Sequence, residues 1–319
     1  MQISSDVILI GEDLLDPYGG AFKVTKGLST EFPGRVLATP ISESAIIGAA
    51  TGMAMRGFLP VAEIMFGDFI TLCTDQIVNS ATKFPLMYGV SVNVPVVIRT
   101  PMGGGRGYGP THSQSLEKMF LGVPGLKVVS PSLAHDPGAI LEHCILREKE
   151  PTLFVEYKEL YPQLLLDSST GFNIRHMGAN PGYPLAIVDN FGGSDKPDIV
   201  VIAYGGASNS VLRVAQEMMQ EEIRVRAIFP VWLNDPTVAD ILLCLTGREQ
   251  LIIAECGTSG FDWGGELSAR LYEALFGRLA HPIRRLASAV DVIPAAKHLE
   301  EKKLLSQQSL RETIFECLS

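Results

Sequence analysis

Short apolar runs bounded by turn residues constrain this chain's fold more than any other feature. Val7 to Ile10, Val94 to Ile98, Lys127 to Val129 and Thr152 to Val155 are too short for helices. They lack the polar alternation of a strand with one wet face. Helical stretches at Ser44 to Met55 and Thr71 to Lys83 alternate with them. Strands buried on both faces and joined by helices predict an α/β fold, with a largely parallel sheet flanked by helices.

The rhythm breaks after Tyr161. From Leu166 to Lys196 the chain carries Ser-Ser-Thr-Gly, Asn-Pro-Gly-Tyr and Phe-Gly-Gly-Ser-Asp-Lys-Pro, which is turn and linker chemistry. It then restarts with strands at Asp198 to Tyr204, Val225 to Phe229 and Leu251 to Glu255. Helices are expected at Ser210 to Glu221 and Gly264 to Phe276, with a mostly helical tail from Leu299 to Leu318. Two α/β domains follow, at about residues 1–180 and 190–319, each with its own sheet.

Hydrophobic residues make up 46% of the chain, yet no run reaches the roughly 18 apolar residues that span a bilayer. The surplus suits buried strands, or a surface covered by another subunit. A net charge of −9 disfavours nucleic acid as a partner. Cys73, Cys144, Cys244, Cys256 and Cys317 are scattered, odd in number and lack a C-x-x-C pair, which fits a reducing cytoplasm. The acidic start shows no targeting segment.

Thr39-Pro-Ile-Ser-Glu43 leads into a helix with almost no large polar residue from Ala45 to Met55, so burial nearly all round is expected. Ser42 is a candidate N-cap, and Glu43 falls in the first turn. There the helix dipole favours a carboxylate while desolvation favours its protonated form. By itself Glu43 is an ordinary helix-start glutamate.

Other segments alter that reading. Gly11-Glu-Asp13, Tyr18-Gly-Gly-Ala-Phe22, Ala62-Glu-Ile-Met-Phe-Gly-Asp-Phe69, Asp75-Gln-Ile-Val-Asn79, Thr111-His-Ser-Gln-Ser115, Pro124-Gly-Leu-Lys-Val-Val129 and Pro151-Thr-Leu-Phe-Val-Glu156 occur in order. This ordered set resembles the beta subunits of the thiamine-diphosphate-dependent pyruvate and branched-chain 2-oxo-acid dehydrogenases, over nearly the whole chain. The resemblance implies a pyrimidine-binding domain followed by a transketolase C-terminal-like domain.

It further implies that Glu43 contacts N1′ of the cofactor's aminopyrimidine and stabilises the imino tautomer that deprotonates thiazolium C2. Phe69 would pack on that ring and Ile41 would join the cofactor site. His112, after the glycine-rich stretch from Gly103, would position the acyl group or pass it to lipoamide. Arg106 reads as a solvated loop arginine or a substrate contact; His135 and His143 read as structural or surface histidines. A potassium ion held by main-chain carbonyls of Val96, Ile145, Leu146, Glu148 and Glu150 is also implied.

The Gly-Asp-Gly segment that anchors the diphosphate through Mg2+ in such enzymes is missing from this sequence. The resemblance therefore implies an alpha subunit carrying the diphosphate half-site, in an assembly of two alpha and two beta chains, with a lipoyl acyltransferase as a further partner.

Several features depart from the family pattern. The Gly-Glu-Asp strand is reached one helix early, which implies a covering element that is absent or supplied by the partner. Phe229-Pro-Val-Trp-Leu-Asn-Asp-Pro236, Pro294-Ala-Ala296 and the stretch from Glu255 to Gly264 are altered. They put handover to a standard lipoyl domain in question. The expected function is decarboxylation of a 2-oxo acid with acyl transfer to lipoamide. The alternatives are a thiamine-diphosphate-dependent transferase with another acceptor, and a non-catalytic scaffold.

Overall fold

The computed structural model describes every residue except 88, 90, 91, 193–195, 236 and 237, and the side chain of 168. Two compact units emerge: Met1–Met102 with Met119–Val129 and Gly138–Val155, and Gly103–Lys118 with Ser130–Pro137 and Glu156–Ser319.

The first sheet is built from β1 (Val7–Gly11), β2 (Val36–Ala38), β3 (Leu59–Glu63), β4 (Val97–Met102), β5 (Lys127–Val129) and β6 (Thr152–Tyr157), in the order β2-β1-β3-β4-β6-β5. Helices α1 (Leu28–Glu31), α2 (Glu43–Met55), α3 (Phe84–Met87) and α4 (Pro137–Leu146) lie between these strands in sequence. β1 pairs in parallel with β2 on one side and β3 on the other. The strand order thus reverses at β1, and open α/β sheets bind ligands beyond the C-terminal strand ends at such a point. All six residues of β4 are buried, but the strand begins only at Val97 and runs on past the apolar stretch through Arg99 and Thr100 to Met102.

The second sheet has the order β12-β11-β9-β10-β8-β7. It comprises β7 (Asn173–Met177), β8 (Leu185–Asp189), β9 (Ile199–Ala203), β10 (Val225–Phe229), β11 (Gln250–Thr258) and β12 (Arg284–Ser288). Helices α5 (Ala207–Gln220), α6 (Val238–Leu243), α7 (Trp263–Leu275), α8 (Lys297–Glu300) and α9 (Gln307–Leu318) complete this unit. Val201, Ala203, Phe229, Ile252 and Ala254 share one core with Leu310 and Ile314 of α9.

The structure refines several sequence expectations. The second sheet begins at Asn173, where β7 pairs antiparallel with β8. β7 is mostly exposed and polar, so no buried run announced it. Helix α2 is not buried all round: Ala45, Gly48, Ala49 and Gly52 are exposed, while Ile46, Ile47, Ala50 and Ala54 are buried. The helix expected over Thr71 to Lys83 is a 3-10 helix, Gly67–Cys73, followed by a π-helix, Gln76–Ala81. The C-terminal tail is mostly helical as expected: α8 stops at Glu300, and the Ser306 hydroxyl accepts the Ser309 N–H in a capping box that starts α9. Of the turn-rich segments singled out above, residues 193–195 and Pro236 lie outside the described residues.

Candidate functional site

The rim at the C-terminal end of β1 gathers carboxyl groups. Gly11 ends that strand where a Cβ would meet the Glu63 carbonyl oxygen at 2.8 Å, so only glycine fits. Glu12 follows, 8% exposed, and among the described residues its Oε1 has no hydrogen-bond partner. Ser42 is extended, and its side chain accepts the Ala45 N–H at 3.4 Å, opening α2 as the sequence suggested. Glu43 occupies the first turn and is 6% exposed. Burial, and then the neighbouring Glu43 charge, push the Glu12 carboxyl above the usual range; a hydrogen bond from the Ser42 backbone partly offsets this.

Phe69 is half-buried in the 3-10 helix after β3, its ring edge-on to Phe66 at 5.9 Å. Phe66 in turn meets Phe22 at 5.4 Å. Gly67 brings this turn against Met102, whose Cγ lies 2.4 Å from where a Cβ would sit. Ile41, beside α2, is 84% exposed.

His112 lies in the segment Gly103–Lys118, which groups with the second compact unit. It is half-buried, with the Thr111 hydroxyl 3.0 Å from Nδ1. Arg106 is neither solvated nor free: it is half-buried and donates to the Lys158 carbonyl at 2.6 Å. His135 is structural. Its Nδ1 accepts the Ser132 N–H at 3.1 Å, leaving Nε2–H to donate to the Pro184 carbonyl at 3.0 Å. His143 is a partly exposed neighbour of Glu148.

The five residues assigned to a monovalent cation all fall in the first unit. Ile145 and Leu146 end α4, where the last carbonyls of a helix lack intrahelical donors, so the donor set suits an oxygen-loving cation. The Val96 carbonyl already accepts Thr152 N–H at 2.9 Å, and the Glu148 carboxylate pairs with Lys127 at 2.6 Å. Glu148 would therefore serve only through its main chain.

The chain matches the family models for the transketolase pyrimidine binding domain at residues 1–163 and the transketolase C-terminal domain at residues 193–310. It is 32% identical to the acetoin:2,6-dichlorophenolindophenol oxidoreductase subunit beta of Cupriavidus necator, over 94% of this chain and 88% of that one. With the pyruvate dehydrogenase E1 component subunit beta of Gracilaria tenuistipitata it shares 31% identity, over 98% and 94%. With the 2-oxoisovalerate dehydrogenase subunit beta of Bacillus subtilis it shares 32%, over 94% and 89%. Among solved structures, a split gene transketolase described as an inactive beta4 tetramer superposes with a TM-score of 0.70 at 18% identity, covering 99% of this chain and 93% of that one.

Fold and rim thus define a transketolase-like protein with two α/β domains. The chain belongs to the family of thiamine-diphosphate-dependent beta subunits of heteromeric 2-oxo-acid dehydrogenase components.

The residues present fit an aminopyrimidine. Glu12 offers a buried carboxyl oxygen that has no hydrogen-bond partner among the described residues, beside Glu43, and Phe69 is an aromatic ring on the same unit's 3-10 turn. Glu12 was quoted in the sequence only as part of Gly-Glu-Asp; its position directly after a buried strand was the available signal.

Proposed function

We propose that this chain supplies the pyrimidine half-site of a 2-oxo-acid decarboxylase completed by an alpha subunit, with Glu43 as its catalytic carboxylate. The bound cofactor supplies the electron sink that decarboxylation requires. Glu43 holds a proton at N1′ of the aminopyrimidine, from the first turn of a capped helix. Burial and the Glu43 charge raise the Glu12 carboxyl, which favours its protonated form beside Glu43. Phe69 packs on the ring and Ile41 contacts it, fixing the tautomer-bearing face. His112 orients the acyl product and, with its ring held by Thr111, moves a proton during transfer to lipoamide.

The partner is to carry the diphosphate and Mg2+, in an assembly of two alpha and two beta chains, with a lipoyl acyltransferase as acceptor. A potassium ion on the carbonyls of Val96, Ile145, Leu146, Glu148 and Glu150 would brace the end of α4.

The observation carrying this reading is Glu43, buried in the first helical turn beside Glu12. Its test is Glu43→Gln in the reconstituted heteromer, read by deuterium exchange at thiazolium C2 and by decarboxylation. Exchange should fall about 10²- to 10⁴-fold with assembly intact; exchange at the wild-type rate overturns the assignment.

The likeness to acetoin oxidoreductase beta subunits supports a second reading. Acetoin would then replace the 2-oxo acid, with cleavage of a carbon–carbon bond in place of decarboxylation. Turnover with acetoin but not with pyruvate or branched 2-oxo acids selects it. Acyl transfer to an aldehyde but not to lipoamide selects a transferase.

A further inference from the structure

The loop that carries His112 is held by polar anchors within the second unit. Gly103 N–H donates to the Gln114 carbonyl at 3.0 Å, closing the loop at its base. Gly107 N–H donates to Glu300 Oε2 at 2.7 Å, and Arg106 reaches the Lys158 carbonyl at 2.6 Å. Beyond His112, Glu117 is 1% exposed, and its Oε1 accepts both the Tyr157 and the Tyr204 hydroxyls at 2.6 Å. Lys118 then donates to the Thr258 carbonyl and hydroxyl, at 2.9 and 2.7 Å.

The two tyrosines are fixed points. A Cβ on Gly103, Gly205 or Gly206 would come within 2.8, 2.5 and 2.5 Å of the Tyr157 ring, so that ring is wedged between glycine backbones. The Tyr204 ring packs edge-on to Trp263 at 4.9 Å. Burial, and then the Glu117 charge, hold both phenols well above their usual range, so each keeps its proton and must donate it. Hydrogen bonds from two such donors to one carboxylate are short and charge-assisted.

A cavity borders the same loop. Pro110, Ser113, Gln114, Ser115 and Leu116 line a cavity of about 450 Å³, into which the loop could relax. We propose that Glu117 is a positioning residue for His112: by gripping two immobile tyrosine hydroxyls it fixes the loop, and so the imidazole, against that cavity. Residues 103–118 are then held as one piece, and His112 acts from a preset position. The inference rests on the reading of His112 given above.

The test uses the reconstituted heteromer with Glu117→Leu, which removes the acceptor, and Glu117→Gln, which keeps an oxygen for both hydroxyls. Glu117→Leu should raise amide hydrogen exchange across residues 104–116 at least 10-fold. It should lower kcat about 10-fold while KM for the 2-oxo acid changes less than 2-fold. Glu117→Gln should recover most of both losses. In a double-mutant cycle, Glu117→Leu added to His112→Ala should slow turnover no further.

Multiplicative losses in that cycle, or unchanged loop exchange in Glu117→Leu, overturn the proposal. If Glu117→Leu fails to assemble, the pair Tyr157→Phe and Tyr204→Phe removes the same two bonds with the rings intact, and the same outcomes apply. A His112→Ala enzyme with wild-type acyl transfer would instead overturn the role of His112; loop exchange alone then decides whether Glu117 positions the loop.

Discussion

Glu63 and Arg99 face each other in register across β3 and β4, and Arg99 Nη1 donates to Glu63 Oε2 at 2.8 Å. Their side chains are 12% and 6% exposed. Removing one partner leaves a charge in a dry strand end. Arg99→Met should therefore cost about 3–5 kcal/mol of stability. Adding Glu63→Leu should restore part of that loss, because the stranded charge is then gone. Urea unfolding of the single and double variants measures both; a double variant worse than the single would contradict the pairing.

In the proposed function Phe69 packs on the cofactor ring, and its neighbour Phe66 meets it edge-on at 5.9 Å. Phe69→Ala should weaken thiamine diphosphate binding by about 1 kcal/mol from lost stacking, plus the lost apolar contact area. Calorimetric titration of the reconstituted heteromer checks this. Unchanged affinity would make Phe69 a packing residue only.

His135 is 2% exposed, and burial lowers its pKa to about 4. A depressed histidine pKa means that the unfolded chain binds the proton first as pH falls below about 6.5. Its contribution to stability is therefore present above that pH and lost as pH falls towards about 4. In the folded chain the imidazole resonances of His135 should show the neutral Nε2–H tautomer at pH 7 and no titration down to pH 5. Nuclear magnetic resonance of ring-labelled protein reads this directly.

Glu255 and Glu159 act in the opposite sense. Burial raises each to about 7. With a folded pKa above the unfolded value near 4.5, the folded state keeps a proton that the unfolded state has released. Stability from these groups is fully present below about 4.5 and lost as pH rises through about 7. Glu255→Gln mimics the protonated form, and its amide oxygen can still accept the Gly264 N–H that Glu255 Oε1 accepts at 2.8 Å. The variant should remove up to about 1.4 kcal/mol per pH unit of the downward slope between pH 4.5 and 7. Glu159 leaves a residual slope. Denaturant midpoints across that range test the sign.

Much of the architecture was legible because buried parallel strands need continuous apolar runs. Val225 to Phe229 and Lys127 to Val129 became strands as read, and Ser42 caps the expected helix. The edge strand β7 was illegible for the converse reason. Asn173–Met177 is a mostly exposed edge strand that binds through backbone hydrogen bonds, which demand no particular side chain.

For the site, the sequence by itself determined residue identity: a glutamate at a helix start, an aromatic after a strand, a histidine in a glycine-rich loop. Tertiary structure alone decided their surroundings. It set Glu12 beside Glu43, where two carboxyls share a desolvated rim. It also brought the Tyr157 and Tyr204 hydroxyls onto Glu117, five residues after His112. The physical reason is range. Strand burial and helix capping act between near neighbours, whereas desolvation and carboxylate–hydroxyl bonds depend on groups that only the folded chain brings together.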